Sequence, residues 1–223
     1  MIRFLTFFLI GLFTILSHSQ VKIEKVDLME MVQDLLITKK NNENMSQVLW
    51  LPLEYWEVAL AETQLGDEET KQKIISTFND YTIFSVVNVN VIAGEFKGIT
   101  SVVTFTGTDK QIYKPIKAED IPEDVSSLLE GIRPILANML GQYGKEMQLN
   151  VFKKTNPEGN LIAGPLQKGQ LILNVNDQEF LYRLPLSSMI AKKICPKDDE
   201  LFNGNWEYCP WHGKKLIEKQ KNK

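Results

Sequence analysis

Cys195-Pro196-Lys197-Asp198 and Cys209-Pro210-Trp211-His212-Gly213 hold both cysteines of the chain and one of its two histidines. Thiolate sulfur and neutral imidazole nitrogen are ligands that suit zinc. A Cys-x-x-ligand turn sets two side chains on one side of a tight bend, where backbone amides stabilise the sulfur charge. Two such turns joined by a short hairpin enclose a tetrahedron of four donors: Cys195, Asp198, Cys209 and His212. Between the turns, Asn203-Gly204-Asn205 is suited to a hairpin tip. Trp206, Tyr208 and Trp211 are expected to cover a site too small to have a core of its own.

These residues resemble a zinc ribbon with rubredoxin-like knuckles. The second knuckle, Cys209 to Gly213, matches that family's Cys-Pro-x-ligand-Gly pattern, with His in place of the usual Cys. The resemblance implies zinc on Cys195, Cys209 and His212. It departs at the first knuckle, where Asp198 takes the second ligand position. Carboxylate binds zinc but is uncommon in closed structural sites. The match covers about 20 residues, and what it implies is a structural or binding role, because four ligands leave no open position for a substrate. A Cys195–Cys209 disulfide is the competing reading. It would close the loop from 195 to 209 and stabilise by roughly 3 kcal/mol in the chain-entropy account. Free thiols are the third.

Other groups offer less specific chemistry. Leu49-Trp50-Leu51-Pro52-Leu53-Glu54-Tyr55-Trp56-Glu57 sets three large aromatics beside two carboxylates. A ligand platform with Glu54 or Glu57 as acid/base is one reading. The preferred one is an amphipathic helix whose aromatics fill the core. A carboxylate-based hydrolase acting on glycan or peptide needs two acids at a set separation, and no local motif selects a pair among 28. There is no Gly-x-Ser-x-Gly, no phosphate-binding glycine loop and no dinucleotide fingerprint. Arg183 is expected in a structural ion pair, with anion recognition as the alternative. The lysine-rich tail from Lys214 to Lys223 reads as a solvated terminus.

The N-terminus indicates export. Arg3 forms a positive n-region, Phe4 to Leu16 an apolar h-region, and Ser17-His18-Ser19 a cleavage site before Gln20. The apolar run falls short of the ~20 residues of a comfortable membrane span. Cleavage would remove His18 and leave His212 as the only imidazole. The chain carries 25 basic and 28 acidic residues, and losing Arg3 tips that balance slightly further. Such a mild charge argues against nucleic acid or an anionic membrane surface as partner. Two cysteines are too few for a disulfide framework, so the fold must rest on an apolar core.

The positioning elements follow from periodicity. Met29, Val32, Leu35 and Leu36 recur at helical spacing. Asn41 to Asn44 is a polar break, and a helix is predicted from about Pro52 to Thr63, with Pro52 in its first turn. Asp67 caps a helix bearing Ile74, Ile75 and Phe78. Tyr81 to Ile92, Ile99 to Thr106 and Gln111 to Tyr113 read as a meander of three antiparallel strands. A capping box of Asp120 and Glu123 opens a helix with an apolar stripe from Val125 to Leu140, kinked at Pro134. Strands return at Met147 to Phe152 and, with alternation, at Leu171 to Val175 and Phe180 to Leu184, with turns at 156–159 and 176–177.

The expectation is an α+β protein: N-terminal helices, a mostly antiparallel sheet with one long helix between hairpins, and a small zinc-ribbon-like lobe. The divisions are a signal peptide over 1–19, the α+β domain over 20–190, the lobe over 191–216 and a basic tail over 217–223. The function expected is that of a secreted or periplasmic binding protein with a partner protein or small ligand and no membrane span once the signal is removed. The carboxylate hydrolase is the alternative.

Overall fold

The computed structural model describes residues 26–41, 43–62, 66–92 and 95–218. The export signal and the end of the tail lie outside them. The architecture is α+β with antiparallel sheets. Helix α1, Leu28–Leu35, is capped by Asp27, whose carboxylate accepts from the Glu30 amide. Strand β1 begins at once, Leu36–Lys40, and pairs with β2, Asn44–Leu51. The polar break is therefore a hairpin turn, and Leu36 belongs to a strand and not to the helix. Helix α2, Leu53–Glu62, starts one residue after Pro52. The Asp67 carboxylate caps α3, Glu68–Phe78, as expected.

Strand β3, Tyr81–Ile92, is the spine of a five-stranded sheet. One edge takes β2. The other takes β4, Glu95–Gly98, against Val89 to Ile92, and β7, Gln148–Lys153, against Tyr81 to Val86. The second sheet runs β6, Ile112–Tyr113; β5, Val103–Thr106; β8, Gly169–Val175; β9, Gln178–Leu184. The expected three-strand meander is thus divided. Val103 to Thr106 leaves β3 and pairs with β8 and β6 instead. Strand periodicity reports which residues face a core but not which neighbour supplies the ladder, and here the neighbour lies far along the chain.

The sheets meet through aromatic side chains. Phe84 of β3 stacks near Trp50 of β2 and reaches Phe105 and Tyr182 of the second sheet at 6.0 and 6.3 Å between ring centroids. Phe152 stands edge-on to Phe105 at 4.8 Å. Trp50 donates its indole N–H to the Thr82 hydroxyl at 2.7 Å and Tyr182 donates to the Leu35 carbonyl, so both buried polar tips are satisfied. Helices α1 and α2 pack on β2. Helix α4, Glu123–Met139, packs with the 3-10 segment Gly141–Glu146 that lies along β3. Covered on both faces, β2 and β3 are buried almost throughout.

Two further expectations are corrected here. No capping box forms: Asp120 sits in a 3-10 turn, Ala118–Asp120, and α4 begins after Pro122 without a side-chain cap. Trp50 lies on a strand and only Tyr55 and Trp56 lie on a helix, although all three fill the core as expected. No helix among the described residues is long and apolar enough to cross a membrane.

Candidate metal centre

A third, small sheet forms the C-terminal lobe: β10, Lys193–Ile194, between β11, Leu201–Phe202, and β12, Ile217–Glu218. Residues 217 and 218, expected at the start of the tail, are thus paired with β10. The lobe has its own buried cluster of Cys195, Phe202, Cys209 and Leu216. Half of that cluster is cysteine. The lobe is tied to the main domain by Asn205, whose side-chain amide donates to the Pro185 carbonyl at 2.7 Å, and by the Lys192–Glu30 ion pair.

The two knuckles share one backbone pattern. In the first, the Asp199 amide donates to the Cys195 carbonyl and the Cys195 amide to the Glu200 carbonyl. In the second, the Gly213 amide donates to the Cys209 carbonyl and the Cys209 amide to the Lys214 carbonyl. Each turn folds back on its cysteine at the same two steps, so Asp198 and His212 occupy equivalent positions. The turn from β10 to β11 is the first knuckle itself. Asn203-Gly204-Asn205 follows β11 as a separate turn, in which the Trp206 amide donates to the Asn203 carbonyl.

Three of the four sequence-predicted groups, Cys195, Cys209 and His212, form one cluster, and Asp198 reaches it through His212 Nδ1 without joining the set of mutually close ligand atoms. His212 Nδ1 lies 3.5 Å from Cys195 Sγ, 3.6 Å from Cys209 Sγ and 3.4 Å from an Asp198 carboxylate oxygen. The ligand atoms of Cys195, Cys209 and His212 all fall within 4.8 Å of one another, a spacing that admits a metal ion. A zinc ion about 2.3 Å from sulfur, 2.05 Å from nitrogen and 2.1 Å from oxygen sets tetrahedral edges of about 3.6 Å for S···N and about 3.4 Å for N···O. Both cysteines are buried and carry free thiols.

Burial pushes the Cys195 thiol above its ordinary value, opposed by the Lys197 amide, with Asp198 and Cys209 beside it adding to the rise. The same Cys195–Asp198 hydrogen bond holds the Asp198 carboxyl below its usual range, helped by the Glu200 amide and by His212.

The aromatic cover is placed differently from expectation. Tyr208 and Trp211 are exposed, and Trp206 is half-exposed and stacks on Phe202 at 5.9 Å. Phe202 and Leu216 shield the sulfurs instead. Their apolar character in a lysine- and acid-rich segment is the sequence signal that marks them.

The other candidates separate. Glu54 and Glu57 lie on α2, and burial raises the carboxyl pKa of both. None of the four principal cavities is lined by either. Arg183 is exposed and makes no ion pair among the described residues, contrary to the structural pairing expected of it. No family model, curated protein or solved structure matches the chain.

Proposed function

We propose that this is an exported binding protein whose C-terminal lobe is a zinc-ribbon-like unit held by a structural zinc ion on Cys195, Asp198, Cys209 and His212. The observation that carries this reading is the Cys195, Cys209 and His212 cluster, in which His212 Nδ1 lies 3.5 and 3.6 Å from the two sulfurs, close to the S···N edges of about 3.6 Å in a zinc tetrahedron. The lobe also needs such an ion. With Phe202 and Leu216 as its only large buried side chains among the described residues, it has too little apolar surface to hold three two-residue strands. Four donors close the coordination sphere, which suits a scaffold role over catalysis.

Export rests on the charged, apolar and small-residue pattern of the first nineteen residues. A binding role is favoured over the carboxylate hydrolase because the raised pair, Glu54 and Glu57, opens onto none of the principal cavities. The test is metal analysis of protein purified without chelator, with intact mass recorded before and after reduction. One zinc per chain and two titratable thiols are expected. A metal-free chain two hydrogens lighter, gaining them on reduction, would replace the ion by a Cys195–Cys209 disulfide.

A further inference from the structure

Where the lobe meets the main domain, a groove of about 630 Å³ opens along the end of β9. Its walls come from four parts of the fold. Strand β9 supplies Arg183, β8 supplies Gln170, α1 supplies Gln33, and the lobe supplies Asn203 and Trp206. The volume falls in the range of small-ligand sites, roughly 300–1,000 Å³.

We infer that this groove binds an acidic saccharide, with a sugar carboxylate on Arg183 and a sugar face on Trp206. The inference deepens the reading of the chain as a binding protein. Arg183 is an exposed guanidinium with no carboxylate partner among the described residues. Its planar fork fits a carboxylate through two parallel N–H donors. Trp206 has one face against Phe202 and remains 46% exposed, so an indole surface is both braced and open. Such a surface takes the C–H face of a pyranose ring.

The remaining polar lining is amide. Gln33 and Gln170 make no side-chain hydrogen bond among the described residues, and each offers a carbonyl acceptor beside an NH₂ donor. That pairing matches neighbouring sugar hydroxyls, which both donate and accept. The one carboxylate in the wall, Asp34, is already engaged by the Ser187 hydroxyl and the Ser188 amide at 2.7 Å each. A single guanidinium in the wall suits one carboxylate per binding unit and not a polyphosphate, which would draw several cations. The lobe supplies the stacking ring, and the ion that holds the lobe thereby holds one wall of the site.

The experiment is calorimetric titration of the full exported chain with trigalacturonate, with the neutral trisaccharide maltotriose, and with an acidic peptide of equal charge. Trigalacturonate is expected to bind at least about tenfold more tightly than maltotriose. Arg183→Gln should remove that preference, and Trp206→Leu should weaken both sugars by about tenfold. Metal content is measured on the same samples, so a wild-type chain that carries zinc but ignores trigalacturonate sinks the saccharide assignment alone. Tighter binding of the peptide, or sugar binding unchanged in both variants, overturns it as well. Retained zinc and an unchanged melting temperature in the two variants establish that a loss of binding comes from the groove.

Discussion

Asp199 and Gly213 stand at the same step of the two knuckles and share a backbone φ of 58°. Each donates its amide to the carbonyl of its own cysteine four residues back. The left-handed conformation is free for glycine and costs an L-residue roughly 1 kcal/mol, with aspartate among those that tolerate it. A Cβ at Gly213 would meet nothing within 4 Å, so its requirement for glycine is conformational alone. Gly213→Ala is therefore expected to destabilise the lobe by about 1 kcal/mol, and Gly213→Val by more. Asp199→Gly should be tolerated. Melting curves followed by tryptophan fluorescence give the ranking, and an Asp199→Gly variant less stable than Gly213→Val would refute the equivalence of the two turns.

Asp198 is the proposed fourth donor, at the position where the chain departs from the four-thiolate or thiolate–imidazole pattern. Removing it with Asp198→Ala should leave three donors and lower zinc retention about 10-fold or more against a competing chelator. Asp198→Cys should raise retention above that of the wild type. Equal retention in all three proteins would place the carboxylate outside the coordination sphere.

Chelation should act on the lobe and spare the main domain, because the two have separate buried clusters. Treatment with excess chelator is expected to change Trp206 and Trp211 fluorescence and to expose both thiols to a thiol reagent. Far-ultraviolet dichroism should hardly move, since the lobe contributes only two-residue strands. Loss of the whole dichroism spectrum on chelation would mean that the lobe is integral to the main core.

Trp50 is fully buried between the sheets, and its indole N–H is donated to Thr82. Trp50→Phe leaves a void and a buried hydroxyl without its partner, which together should cost about 2–4 kcal/mol. Trp50→Phe combined with Thr82→Val should recover part of that loss. Denaturant titration of the single and double variants measures it, and a double variant weaker than the sum of the singles would contradict the pairing.

Burial raises the Glu54 carboxyl pKa above its ordinary 4.5, with Glu57 adding to the rise and Lys154 opposing it. A carboxyl with a raised folded pKa binds more protons folded than unfolded. Stability from this group is thus present below pH 4.5 and declines as pH rises through the folded value. Glu54→Gln should be more stable than the wild type at pH 7, with the gap closing towards pH 4. A gap that is constant across that range would assign the difference to packing.

The cluster of Cys195, Cys209 and His212 is legible in the sequence because each knuckle is local: Cys-x-x-ligand spacing bends the chain back on itself whatever surrounds it. The turns at 107–109, 156–159 and 176–177 are legible for the same reason, since glycine, asparagine and aspartate act on their own backbone. Elements buried on both faces are harder to read. Met45 to Leu51 is almost continuously buried, and a run without alternation does not distinguish a central strand from a buried helix, so periodicity does not reveal the β1–β2 hairpin. Assignment of Val103–Thr106 to the second sheet, the open Arg183 and the placing of Trp206 in the same groove are decided by pairings between residues distant in sequence. Spacing governs what a chain can do within a few residues. Which distant surfaces meet depends on how all the apolar faces are buried together, and no local pattern encodes that.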